Sequence, residues 1–513
     1  MRKRVLFTSA LAGIIAIVAA IVAASGGGTV QTLAVRPMDD SATFVSADTP
    51  PPSQADCVAI GRRCFTPSAM ANSYNYAGLH GLNDEGQGKT IAIMDSFGSS
   101  TIRQDLANFN DAFGLPHLCG ETGPSDPSAN CSSTTSPRFD IVCYQGCPAP
   151  NPPPSTSQGT HLEAHDLWAL EVALDVEWAH ATAPLANIML VTTPTAETLG
   201  VQGFQQLMNA EDWVVTNHKA DVITQSFGAA EGSFNGLGAL KQLRQTFVDA
   251  QANNVTVFAS TGDFGSLNNT KQDVTGKGGG GVNKTQDTYV PYPSVSWPAS
   301  DPLVTAVGGT YLCTNAETGL GVDSVSAPAA CQNNPGDREP GWVASGGGYS
   351  IYFTRPSWQT GPAVDPPGGS FTGTTPYPGV PGPNQNMRGI PDVSYQASAL
   401  TGVLIYNAEE GGWFVIGGTS ASSPQWAGLL AMADQMAGHD LGFINPALYS
   451  IANNAGEYAT DFYDPTHGFN GAADPRQQFA CCYPATKGWD PVTGLGTPNA
   501  ANLIPNLITA ASS

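Results

Sequence analysis

The residues of this chain with the most chemistry in them are a serine and three carboxylates. The serine stands in Gly417-Gly418-Thr419-Ser420-Ala421-Ser422-Ser423-Pro424, a small-residue turn followed by the apolar run Gln425 to Met432. A turn of that kind delivers one hydroxyl onto the first turn of a buried helix, where it can act as a nucleophile with backbone N–H groups near the oxyanion it creates. An ordinary helix start, with Ser420 or Thr419 as N-cap, reads from the same residues. Two carboxylates lie far upstream. Between Glu163 and His180, 11 of 18 residues are apolar, so a helix there is mostly buried. Glu171 and Asp175 sit i, i+4 on one face of it, on the stripe that also carries Ala164, Trp168 and Trp178. Burying two neighbouring carboxylates raises at least one pKa by desolvation and like-charge repulsion, and the shared proton suits a general base working below neutrality. The third is Asp263, in Val257-Phe258-Ala259-Ser260-Thr261-Gly262-Asp263, where an apolar run ends in a Gly-Asp turn. Asp263 is either a turn former or a protonated acid that donates a hydrogen bond to an oxyanion.

The elements that must position these groups alternate. Strand-like runs Thr90 to Met94, Asn187 to Val191, Asp221 to Ser226 and Val255 to Ser260 are separated by helical segments Leu162 to Thr182, one near Gln205, and Leu237 to Asn253. That alternation implies βαβ units, hence an α/β fold with a mostly parallel central sheet and helices on both faces. Further strands are expected at Leu303 to Val307, Gly402 to Tyr406 and Trp413 to Ile416, the last running straight into the Ser420 turn. Ala149 to Ser155, Gly276 to Gly281 and Gly361 to Asn386 are too rich in Gly and Pro to be elements.

The chain has 513 residues, 41% of them apolar. Arg2-Lys3-Arg4 followed by an uncharged apolar stretch from Val5 to Ala24 reads as a signal peptide over 1–24, or as an uncleaved N-terminal anchor; either way the remainder lies outside the cell. Residues 25–64 read as a linker or short propeptide remnant, and the catalytic domain as 65–513. The ten cysteines fall in local pairs without metal-knuckle spacing: 57 with 64, 119 with 131, 143 with 147, 313 with 331, and the neighbours 481 and 482. Short-loop disulfides of a secreted, extracellular protein are the reading. A formal charge of -22 excludes nucleic acid and anionic lipid as partners.

Two resemblances follow from these motifs. Asp95-Ser96-Phe97-Gly98 after the first strand, Gln158-Gly159-Thr160-His161, and the Ser420 turn are similar to subtilisin motifs, but Gln158 stands where the catalytic histidine belongs and Asp263 where the oxyanion-hole asparagine belongs. A histidine-dependent mechanism would need His161, which falls on the motif's second, non-catalytic histidine. With Glu171-Val172-Ala173-Leu174-Asp175, the chain instead resembles the sedolisin, or serine-carboxyl peptidase, family, which includes kumamolisin and tripeptidyl-peptidase relatives. The likeness extends through Ser345-Gly346-Gly347-Gly348-Tyr349-Ser350, Pro391-Asp392-Val393-Ser394, Leu441 to Tyr449 and Gly488 to Gly496. It implies a subtilisin-like fold and a secreted, acid-acting endopeptidase that hydrolyses polypeptides through an acyl-enzyme. Ser420 would be the nucleophile, Glu171 the general base, Asp175 the carboxylate that orients it, Asp263 the oxyanion acid, and Asp95 a supporting carboxylate. It also implies one Ca²⁺ in C-terminal loops, held by the side chains of Asp464 and Asp490 and the carbonyls of Pro465, Thr486 and Gly488. Peptide substrate would pair by strand addition with Ser226, Gly228, Gly346 and Gly347, beside Trp168. A monomer is expected. A tripeptidyl-peptidase of the same mechanism and a non-catalytic binding protein on this scaffold are the alternatives. The family's large N-terminal prodomain has only residues 25–64 as its counterpart here.

Overall fold

A computed structural model describes residues 36–37, 40–47, 50–121, 131, 136–146, 161–194, 201–234, 236–267, 269–271, 288–289, 293–323, 328–365, 367, 384–471 and 483–512. The apolar stretch Val5 to Ala24, the loops 149–155 and 276–281, most of 361–386, and the cysteines 147, 481 and 482 lie outside them. Leu33–Ser513 forms one compact unit.

Seven strands make the central sheet: β1 (Thr90–Ser96), β2 (Phe139–Cys143), β3 (Asn187–Thr193), β4 (Val222–Gln225), β5 (Thr256–Ser260), β6 (Thr305–Thr310) and β7 (Val393–Gln396). Every neighbouring pair is parallel, in the order β7-β6-β5-β4-β1-β3-β2. Because successive side chains point to opposite faces of a strand, one run feeds two cores. Ile91 and Ile93 of β1 join the core built with helices His161–Thr182 and Thr419–Ala437. Ala92 and Met94 join the core built with helix Val201–Thr216 and the pair Leu237–Leu243 and Gln245–Ala252. The alternation read from sequence therefore gives the expected α/β layers, at about 1.5–3 kcal/mol for each large apolar side chain buried. The single helix expected from Leu237 to Asn253 is two, divided at Arg244, whose guanidinium is held by both carboxylate oxygens of the buried Asp301.

The segment read as a linker or propeptide remnant carries structure. Arg36–Pro37 pairs antiparallel with Phe227–Ala230, Asp40–Ser46 with Gly412–Gly417, and Arg63–Phe65 lies parallel to Thr401–Asn407. Helix Gln54–Ala59 between them is closed by a capping box of Ser53 and Asp56. Three local disulfides form as expected, Cys57–Cys64, Cys119–Cys131 and Cys313–Cys331, and Cys143 is also disulfide-bonded. Among the described residues no helix is long and apolar enough to cross a membrane.

Candidate active site

In a parallel sheet the crevice outside the carboxyl ends of the strands is where ligands are expected, and there the chemistry converges. Asp95 is the penultimate residue of β1, Ser226 follows β4, and Asp263 lies in the turn after β5. The serine helix Thr419–Ala437 lies across them. Gly418 stands just before it at φ 111°, a conformation open to glycine but strained for other residues, so the chain can leave strand Gly412–Gly417 and enter the helix in one step. The N-cap is this glycine, with no side-chain cap bond, so Ser420 and Thr419 are both inside the helix and the ordinary N-cap reading does not hold.

Polar contacts rivet that helix to two strands and to the turn after β5. Ser422 Oγ donates to the Gln396 carbonyl of β7, Trp426 Nε1 to the Ser394 carbonyl, and Ser423 Oγ is 2.8 Å from Thr224 Oγ1 of β4. At Thr419, the backbone N–H and the hydroxyl each donate to Asp263 Oδ1 at 2.9 Å. Pro424 has no N–H, so the Ser420 carbonyl receives no helical bond from it. Helix His161–Thr182 packs alongside, close enough that a Cβ on Gly428 would meet Thr182 at 2.6 Å. It is clipped to the strand Thr401–Asn407 by Trp178 Nε1 on the Leu404 carbonyl, Asn407 Nδ2 on the Ala169 carbonyl, and the Tyr406 N–H on Glu177 Oε2.

Glu171, Asp175, Asp95 and Ser420 have no solvent exposure, and Asp263 only 1%. Ser226 Oγ donates to Asp175 Oδ1 at 3.0 Å, while Asp175 Oδ2 and both oxygens of Asp95 accept no hydrogen bond. Desolvation, with the charge of Asp95 behind it, drives the Asp175 carboxyl well above the usual carboxylate range, against the small opposing effect of Ser226. Burial pushes Asp95 up to about 8. The arrangement therefore holds protons on carboxyl groups at mildly acidic and neutral pH and places them beside the helix that carries the serine hydroxyl.

The other expected residues fall as follows. Ser226 turns its hydroxyl to Asp175 rather than outward. Gly228 pairs with Arg36, so the strand edge expected to take a peptide is taken by the chain's own N-terminal segment. The Gly346 N–H donates to the Gly262 carbonyl at 2.7 Å, and Gly347 lies tight against the Pro491 backbone. Trp168 is fully buried, its ring centroid 6.4 Å from that of Phe227. His161 begins the helix, and its side chain lies outside the described residues.

In the C-terminal loops, Asp464 Oδ2 accepts from the Gly488 N–H, and Asp490 takes the N–H groups of Thr486, Val492 and Thr493. Burial, with a lesser push from the like charge of Asp464, raises Asp490 to about 7, and burial raises Asp464 to about 6. Asp464 Oδ1 is sealed from solvent without a hydrogen bond, the nearby Tyr458 hydroxyl being spent on the Leu495 carbonyl. Among the described residues no group of three or more acidic, His or Cys side chains is arranged to hold a metal ion by itself. The half-buried Asp464, with its orphaned oxygen, and the buried Asp490, plus peptide carbonyls, are the hard oxygen donors that Ca²⁺ takes.

Sequence reasoning missed two residues here. Thr419 is the partner of Asp263, and its only signal was its place between Gly418 and Ser420. Gln225, next to Ser226, is buried with neither side-chain atom hydrogen-bonded; a Gln at a strand end gives no warning of that.

No family model matches the chain. It is 30% identical over 450 residues to kumamolisin from Bacillus sp. (strain MN-32), covering 87% of this chain and 64% of that protein. It is 33% identical over 297 residues to sedolisin from Pseudomonas sp. (strain 101), covering 58% of this chain and 42% of that one. The tripeptidyl-peptidase 1 of Dictyostelium discoideum is 29% identical over 65% of this chain and 46% of its own. The chain thus spans less than two thirds of the length of the curated relatives it matches. Among solved structures, Pseudomonas sedolisin, a serine-carboxyl proteinase complexed with two molecules of pseudo-iodotyrostatin, superposes with a TM-score of 0.58 at 26% identity, over 86% of this chain and 98% of that one.

Proposed function

From a chain that is homologous to sedolisin and kumamolisin over most of its length, we propose a secreted serine-carboxyl endopeptidase that works in acid. The observation that carries this reading is the placement of Asp263, bonded twice to Thr419 one residue before Ser420, with the buried Glu171 and Asp175 on the helix packed alongside. Ser420 Oγ attacks the scissile carbonyl carbon as its proton passes to Glu171. Asp175, held by Ser226, orients Glu171 and shares a proton with it, and Asp95 keeps that proton within the network. The developing oxyanion takes a hydrogen bond from the neutral Asp263 carboxyl. Glu171 then returns the proton to the amine nitrogen, the C–N bond breaks, and an acyl-Ser420 remains. Water, deprotonated by Glu171, attacks the acyl carbon; the ester bond breaks and Ser420 recovers its proton. An ionised Asp263 would repel the oxyanion, so activity fades towards neutrality.

The pairing of Arg36 with Gly228 supports a cleft edge that accepts an extended peptide by strand addition. Asp464 and Asp490, with the carbonyls of Pro465, Thr486 and Gly488, would hold a Ca²⁺. That ion would supply charge neutralisation to these two carboxylates and so tie the C-terminal loops together.

Hydrolysis of an unfolded protein from about pH 2 to 8 tests the reading, beside Ser420→Ala and Glu171→Gln. Acid-only activity that both changes abolish supports it. Activity that survives either change would sink it.

A further inference from the structure

We infer that Thr419 is a positioning residue that fixes which oxygen of Asp263 carries the proton, and the inference rests on the functional reading above. Both residues are sealed, Thr419 at 0% and Asp263 at 1% exposure. The Gly262 N–H donates to Thr419 Oγ1 at 3.0 Å. A peptide N–H can only donate, so Oγ1 is the acceptor in that contact. A threonine hydroxyl has one proton, and here it points at Asp263 Oδ1, 2.9 Å away. The Thr419 N–H points at the same oxygen, also at 2.9 Å. Both lone pairs of Oδ1 are then engaged, and a neutral Asp263 must carry its proton on Oδ2.

The hydroxyl cannot rotate away without orphaning the buried Gly262 N–H. The turn around that N–H is held on both sides, the Thr261 N–H donating to the Val307 carbonyl at 3.1 Å and the Gly262 carbonyl accepting from the Gly346 N–H at 2.7 Å. Three segments therefore lock one hydroxyl proton: the end of β5, the glycine run at Gly346, and the first residue of the serine helix. Two consequences follow for an oxyanion acid. Its donor is always the same oxygen, so no fraction of the enzyme waits with the proton on the wrong side. Two hydrogen bonds into Oδ1 also favour the ionised form, so Thr419 lowers the pH at which Asp263 stops being a donor.

The test compares Thr419→Val and Thr419→Ser in the full chain, with kcat and KM measured separately across pH. Valine removes the hydroxyl and keeps the N–H donor; serine keeps both. Loss of the hydroxyl that fixes the proton on Oδ2 weakens a single oxyanion donor, which predicts that Thr419→Val lowers kcat about tenfold to a hundredfold with KM within about threefold. The alkaline limb of its kcat profile moves up by about one pH unit, since the ionised acid has lost a donor. Thr419→Ser stays near wild type in both respects. Thr419→Ala, which also keeps the N–H, gives the same reading where valine's second methyl is not accommodated. Ser420-dependent activity whose alkaline limb stays put in the valine and alanine variants overturns this inference alone, as does a serine variant that falls as far as valine. Activity that survives Ser420→Ala overturns the functional reading, and this inference with it.

Discussion

Asp392 and Asp175 both have no solvent exposure, yet their surroundings could hardly differ more. Asp392 accepts from both terminal nitrogens of Arg388, from the Ala306 N–H, from Tyr449 Oη and from Asn445 Nδ2. It joins β6, the turn into β7 and the helix Asn445–Asn453. Among the described residues Asp175 accepts from Ser226 alone, and the carboxylate of Asp95 acts on it as a like charge. A buried carboxylate with five donors, two of them from a cation, acts as a clamp. One with a single donor and a like charge beside it holds a proton, which is a burden on the fold and a resource for chemistry. The first neighbourhood should therefore fail as structure when it is cut, and the second as catalysis.

The largest effect is expected at the second. Asp175→Asn should cut activity by about 10³–10⁴-fold, as loss of the orienting acid does in other serine peptidases, while the melting temperature does not fall. A variant that melted early but kept its rate would place Asp175 with the clamps. Arg388→Met should do the reverse: it takes the cation from a buried pair, at about 3–5 kcal/mol, seen as a lower denaturation midpoint. Equal stability in that variant would show that Asp392 does not need its cation.

A smaller effect separates the two by pH. Asp95 is protonated in the fold up to about 8 but ionises near the ordinary value when unfolded. Between those values the folded state binds the extra proton, so stability falls as pH rises from about 4 to 8 and is greatest below that window. Thermal scans of Asp95→Asn should show a shallower fall, and a slope equal to wild type would mean that other groups carry it. Smaller still, Ca²⁺ should raise the melting temperature by a few degrees over a chelator, and Asp464→Asn should abolish the shift; a shift that persists would remove Asp464 from the site. The least effect is expected from His161→Ala, within about twofold in rate, because the base proposed here is Glu171. A collapse of activity would restore a histidine mechanism.

Much of this was legible. Apolar runs of strand length alternating with helical periods specify a parallel sheet, and β1, β3, β4 and β5 lie within a residue or two of where that pattern puts them. Glu171 and Asp175 stood out because i, i+4 carboxylates do not belong on an apolar helix. What stayed hidden depends on partners distant in sequence. Asp40–Ser46 is short and half polar, and becomes a strand only because Gly412–Gly417 offers it an edge. Thr419 looks like any helix-start threonine until the end of β5, 156 positions away, is folded against it. The division at Arg244 is set by Asp301, 57 positions on, and no local propensity announces it.

The most direct test of the central claim, that a neutral Asp263 beside Ser420 makes this an acid enzyme, is the pH dependence of hydrolysis by Asp263→Asn. Asparagine keeps an oxygen for Thr419 and presents an N–H donor at every pH. The account predicts a lower peak rate but activity that persists above about pH 6, where the wild type has lost its own. An unmoved alkaline limb in a folded Asp263→Asn enzyme would contradict it.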